Sequence, residues 1–103
     1  MFSAWSVRYW RAKGGAKLDL VLSCGARLVG VEVKAGVAPG LTRSMQSFID
    51  AYAPSDMLIV TDQDHRLEPP VLEGRTRVWR VGLVDLMWAL TEITGEDGSS
   101  LWG

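Results

Sequence analysis

The sequence predicts one α/β domain: a mixed β-sheet made of an antiparallel meander, a crossover helix and a buried strand, flanked by helices. Three observations carry this. Residues 17–34, KLDLVLSCGARLVGVEVK, alternate with period two on both sides of a glycine-containing turn, as a hairpin does. In residues 41–53, Leu41, Met45, Phe48, Ile49 and Tyr52 share one helical face. Residues 56–62, DMLIVTD, hold an unbroken apolar run, the pattern of a strand covered on both faces. Strand, helix and buried strand in that order favour a right-handed crossover with parallel pairing.

With 103 residues, 48% of them hydrophobic, the chain is one domain, 1–103, large enough for a core. Residues 5–11, WSVRYWR, form a first strand with Trp5, Val7 and Tyr9 on one face and Ser6, Arg8 and Trp10 on the other. Arg11, Lys13 and the Gly14–Gly15 pair make a basic turn into the hairpin. Trp5 and Trp10 read first as packing residues. Trp10, Arg11 and Lys13 also flank the hairpin, where they suit a phosphate backbone or a stacked base.

Within the hairpin, Gly25 and Ala26 suit the two central positions of a type II′ turn. Paired residue numbers then sum to 51. Leu18, Leu20 and Leu22 face Val33, Val31 and Val29, so the apolar faces coincide. The same register sets Asp19 opposite Glu32 and Lys17 opposite Lys34.

Pro54 and Ser55 stop the helix that follows. Residues 63–76 read as a surface loop. It contains the only histidine, His65, taken as solvated, and Pro69–Pro70, which exclude a central strand. Residues 77–81 form a strand carrying Trp79. Residues 83–93 form a helix with Leu83, Leu86, Met87, Leu90 and Ile93 on one face and Trp88 at its edge; Gly95 ends it, and the tail with Trp102 frays. The predicted order is strand, strand, strand, helix, strand, strand, helix.

Composition excludes several classes. The one cysteine, Cys24, permits no intramolecular disulfide and no cysteine-based zinc site, and reads as a buried strand thiol. No apolar run approaches the ~20 residues of a membrane span. The segment MFSAWSVRYW lacks the layout of a secretory signal, so a cytoplasmic protein with no membrane partner is expected. A net charge of −1 provides no global basic field, so any nucleic-acid contact must rest on a local basic patch.

The chemistry lies in the hairpin. Directly opposed side chains stand roughly 5 Å apart at Cβ, and like charges there destabilise the sheet and raise each other's pKa. A solvated strand face would favour unlike pairs. A hard cation between Asp19 and Glu32 reverses the penalty, and Mg2+ is commonly held by one or two carboxylates, waters and phosphate oxygens. Lys34, on the same face, can orient or deprotonate a water, or stabilise charge developing on a phosphate.

Asp19, followed thirteen residues later by Glu32-Val33-Lys34 on the next strand, resembles the PD-(D/E)XK nuclease signature. The longer run YWRAKGGAKLDLVLSCGARLVGVEVKAG, a helix, then DMLIVTD, resembles the nuclease-like domain at the C-terminus of bacterial and archaeal AAA-type ATPases, itself akin to archaeal Holliday-junction resolvases. The resemblance covers residues 8–62 and extends loosely to the last helix. It implies a restriction-endonuclease-like fold acting on DNA, branched DNA included. It also implies Mg2+ or Mn2+ held by Asp19, Glu32 and the carbonyl of Val33, with Lys34 as the catalytic lysine. Gln46 is the counterpart of a helix residue that reaches the site in relatives.

Two departures stand out. Lys17 occupies a position where the ATPase-associated domain usually has a glutamate, and is expected to bind phosphate or partly replace the metal. The superfamily's first helix has no counterpart before Trp5, so the chain is expected to be a fragment of a larger protein or a stripped-down domain. A homodimer is one way to cover the apolar sheet surface this exposes. The expected function is a metal-dependent DNA endonuclease. The alternative is an inactive nuclease-like binding or oligomerisation module, a fragment or partner of an AAA-type ATPase.

Overall fold

A computed structural model of the chain describes residues 5–35, 40–62 and 68–95. Strands β1 (Ser6–Arg11), β2 (Lys17–Cys24) and β3 (Arg27–Lys34) precede helix α1 (Arg43–Tyr52). Strands β4 (Asp56–Thr61), β5 (Val71–Glu73) and β6 (Thr76–Gly82) follow, then a 3-10 turn (Leu83–Asp85) and helix α2 (Leu86–Thr94). The six strands form one mixed sheet in the order β1-β2-β3-β4-β6-β5. The meander β1-β2-β3 is antiparallel, β4 is parallel to both β3 and β6, and β5 returns antiparallel to β6.

The sheet is cored on both faces. On one, Leu18, Val21, Met57, Ile59 and Val78 pack against Met45, Phe48 and Ile49 of α1. On the other, Val29, Val31, Leu58, Val60, Trp79 and Val81 pack against Ala89 and Ile93 of α2. Strand β4 lies between them and is buried at every position, as its apolar run requires. Each such aliphatic side chain contributes about 1.5–3 kcal/mol on burial. Gly30 is needed for closeness: a Cβ there would come within 2.8 Å of the Met57 methyl and 3.0 Å of Leu18.

Helix α1 begins where Thr42 Oγ1 accepts the Met45 N–H at 3.2 Å. It ends at Ala53, whose φ of 45° is left-handed, with Pro54 next in line.

A polar network ties the start of β4 to its surroundings. The fully buried Asp56 accepts the Trp79 Nε1–H at 2.9 Å and the Ser55 hydroxyl at 2.8 Å, and pairs with Arg77 Nε at 2.7 Å. Arg27 Nη2 lies 3.7 Å from the same carboxylate, donates to the Ile93 carbonyl of α2, and sits over the Trp5 ring.

Several expectations are corrected. Residues 71–73 form an edge strand, not loop; the prolines stand just before it, where no ladder donor is required. Of the expected apolar face of the last helix, Ile93 is buried and Leu86 and Leu90 pack against the same cluster, whereas Leu83, in the 3-10 turn, and Met87 are exposed and Ala89 is buried in addition. Cys24 is half-buried, at the end of its strand. The pairing sum of 51 holds from Leu20↔Val31 to Cys24↔Arg27. Before Leu20, β2 bulges: between Arg8↔Val21 and Trp10↔Leu18, Tyr9 alone faces both Asp19 and Leu20. Leu18 therefore turns to the α1 face, away from Leu20 and Leu22, and Lys17 pairs with Arg11 across β1. His65 and Trp102 lie outside the described residues.

Candidate active site

The bulge in β2 re-aims Asp19 toward β3. Its Oδ2 accepts the backbone N–H of Val33 at 2.8 Å, so the side chain takes a place in the ladder that backbone pairing would otherwise hold. Glu32 follows from alternation. Val29 and Val31 face α2, so Gly30, Glu32 and Lys34 face α1. Glu32 is only 5% exposed, and its side chain hydrogen-bonds with that of Asp19. Its pKa is pushed up from 4.5 to about 7. Burial is the largest cause, followed by the Asp19 hydrogen bond and the Asp19 charge; Lys34 and Lys17 act in the opposite direction. Near neutral pH Glu32 is thus close to half protonated, and both lysines contribute positive potential.

The structure therefore brings Asp19 and Glu32 together, with Lys34 and Lys17 close enough for their charges to act on Glu32. The other expected site residues are placed differently. Val33 is exposed and uses its N–H on Asp19. Trp10 packs edge-on against Phe48 and Tyr52, with centroids at 5.1 and 6.1 Å, and donates its Nε1–H to the Tyr52 hydroxyl at 3.2 Å. Gln46 donates to Asp50 one turn along α1, at 2.9 Å. Arg11 is exposed at the end of β1. Lys13 is exposed beside the Gly14–Gly15 turn and lines a pocket with residues of α1.

A divalent cation fits this pair in one respect and is limited in another. Two carboxyls held side by side with one pKa raised present the oxygen-only donor set that Mg2+ and Mn2+ accept. Among the described residues there is no group of three or more His, Cys, Asp or Glu side chains. Further coordination must come from backbone oxygen, water or a phosphate group.

Two functional features escaped the sequence reading. The bulge leaves no trace in composition, since Leu18 and Leu20 satisfy alternation on either face. Arg43, Ser44 and Ser47, which face the Gly14–Gly15 turn, look like an ordinary solvated helix face; their i, i+3 and i, i+4 spacing was the available signal.

A family model described as a domain of unknown function, DUF4143, matches residues 2–80. Uncharacterized proteins of Mycobacterium tuberculosis and Mycobacterium bovis are each 31% identical over 85 residues, 80% of this chain. The chain spans 19% of the length of these curated relatives. No solved structure matches it. Among the described residues, no helix is long and apolar enough to cross a membrane.

Proposed function

The chain belongs to the DUF4143 family, a domain of unknown function found at the C-terminus of AAA-type ATPases in bacteria, and from there we propose that it is a metal-dependent DNA endonuclease of the PD-(D/E)XK type. The observation that carries this is the Asp19–Glu32 pair, held in contact by a bulge, with Glu32 pushed to about pH 7 beside two lysines. Such a pair is costly to build for stability alone. The mixed sheet, with α1 crossing between the parallel strands β3 and β4, supports a restriction-endonuclease-like fold.

Asp19 and Glu32 would hold Mg2+ or Mn2+, with the Val33 carbonyl as the third protein ligand. When bound, the ion supplies charge neutralisation at a phosphate and an acidified water. Lys34 would orient the attacking water and, as a cation, stabilise charge developing on the phosphate, and Lys17 would add positive charge where the phosphate would lie. With only two carboxylates, ion binding is expected to be weak alone and stronger with DNA present.

The test is cleavage of labelled linear, nicked and four-way-junction DNA with Mg2+ or Mn2+. Wild type should cleave at least one substrate, and Lys34→Ala should lower the rate by about 10²–10⁴-fold. Equal rates in the two proteins would remove Lys34 from the chemistry and point to a contaminating nuclease.

One observation favours the second reading, a binding or oligomerisation module. Val7, Tyr9, Leu20 and Val33 lie on the α2 side of the sheet and are 60%, 70%, 41% and 53% exposed. An apolar sheet surface of this kind suits a homodimer or contact with an AAA-type ATPase. Wild type that never cleaves, yet sediments as a dimer dispersed by Tyr9→Lys, would establish that reading.

A further inference from the structure

Between the β1–β2 turn and the start of α1 lies a pocket of about 260 Å3. Its lining is Lys13, Gly14, Gly15, Ala16, Arg43, Ser44 and Ser47: two cations, two hydroxyls and no acid, in a chain whose net charge is −1. Lys13 and Arg43 are exposed, and among the described residues neither is paired with a carboxylate. Gly14 and Gly15 have φ of 88° and 92°, a conformation that keeps side chains out of this wall. The pocket is joined to the candidate active site by a hydrogen bond, since the Lys17 N–H donates to Ser44 Oγ at 3.2 Å. Lys17 is two residues from Asp19.

We propose that this pocket binds the phosphodiester backbone of the DNA strand that enters the candidate active site, with Lys13 and Arg43 as the phosphate-binding cations. The ligand class rests on the endonuclease reading; the pocket and its charge do not. Ala16, in the pocket wall, lies three residues before Asp19, so the chain sets them no more than about 10 Å apart at 3.3 Å per residue. That is about three base steps of duplex at 3.4 Å of axial rise. One strand can therefore occupy the pocket and reach the carboxylates together. Ser47 stands one turn from Arg43 on the same helix face and offers a hydroxyl to a phosphate oxygen. The pocket supplies part of the local basic patch that the overall charge lacks.

The test is binding of the full chain to a fluorescein-labelled DNA duplex, by anisotropy in EDTA, between about 50 and 200 mM salt. In Lys13→Ala/Arg43→Ala the slope of log K against log salt should shrink by about 1.8, at 0.9 per lost cation. Lys13→Arg/Arg43→Lys should keep the wild-type slope. Ser47→Glu, which places an acid in the pocket and removes neither cation, should weaken binding. An unchanged slope in the double alanine variant overturns the proposal. Loss of inorganic phosphate binding without loss of DNA binding also overturns it, and assigns the pocket to a free phosphate. The expected slope change in the double alanine variant, together with a wild type that never cleaves DNA, leaves the pocket standing and removes only the hydrolytic reading.

Discussion

Asp56→Ala lowers the stability of the protein by about 3 kcal/mol. Breaking a buried ion pair by removing one partner costs about 3–5 kcal/mol. The lower figure applies because Arg77 and Arg27 are each 41% exposed and can turn to water. The Trp79 indole N–H has no such outlet: its residue is 7% exposed, and its acceptor is the lost carboxylate. The loss is large against the 5–15 kcal/mol by which domains are stable. Urea denaturation followed by circular dichroism measures it. Asp56→Asn keeps an acceptor for Trp79 and should lie between the two. A shift under about 1 kcal/mol in the alanine variant would show that the network contributes little.

The second large effect concerns Glu32 and depends on pH. The folded protein holds the Glu32 proton up to about pH 7, whereas the unfolded chain releases it near 4.5. Between those values the folded state binds more protons, so stability falls as pH rises through the window and is flat outside it. At 1.36 kcal/mol per pKa unit, the metal-free protein is less stable at about pH 8 than at about pH 4 by roughly 3 kcal/mol from this group. Glu32→Gln removes that dependence and stabilises the protein at the higher pH. Its amide can still donate to Asp19. The same change should abolish divalent-ion binding and cleavage, so stability and activity move in opposite directions. Urea unfolding of both proteins in EDTA at the two pH values tests this. A glutamine variant that follows the wild-type pH profile would remove Glu32 as the titrating group.

The hairpin was legible from Leu20 to Val31 because period-two alternation and Gly25 together leave one register. The structure agrees with a type II′ turn: Gly25 has φ of 57°, and Ala26 is not among the positive-φ residues. The meeting of Asp19 with Glu32 was also legible, but the means was not. Alternation places the pair by straight pairing, whereas the protein inserts a bulge and lets Asp19 cap a β3 amide. Asp56 read as the polar boundary of a strand, since its partners Arg27, Arg77 and Trp79 are distant in sequence. Strand β5 escaped because its three residues are all exposed, so no buried face marks it. In helix α2 the stripe of Leu86, Leu90 and Ile93 was legible, but Ala89, though fully buried, is too small to register as an apolar anchor, and Met87 at the stripe's edge is exposed.

The bulge and the Asp56 network occupy opposite ends of the β3–β4 pair. At one end Val29 pairs with Asp56, whose charge is met by arginine and indole; at the other, Lys34 pairs with Thr61 beside two carboxyls whose contact depends on the Glu32 proton. Local opening follows the weaker contacts. The sheet is therefore a cantilever, anchored at the Asp56 end and compliant at the Glu32 end. Deformation at the carboxylates, on taking up a cation or a strand, can be absorbed there without loosening the anchorage that keeps the domain folded.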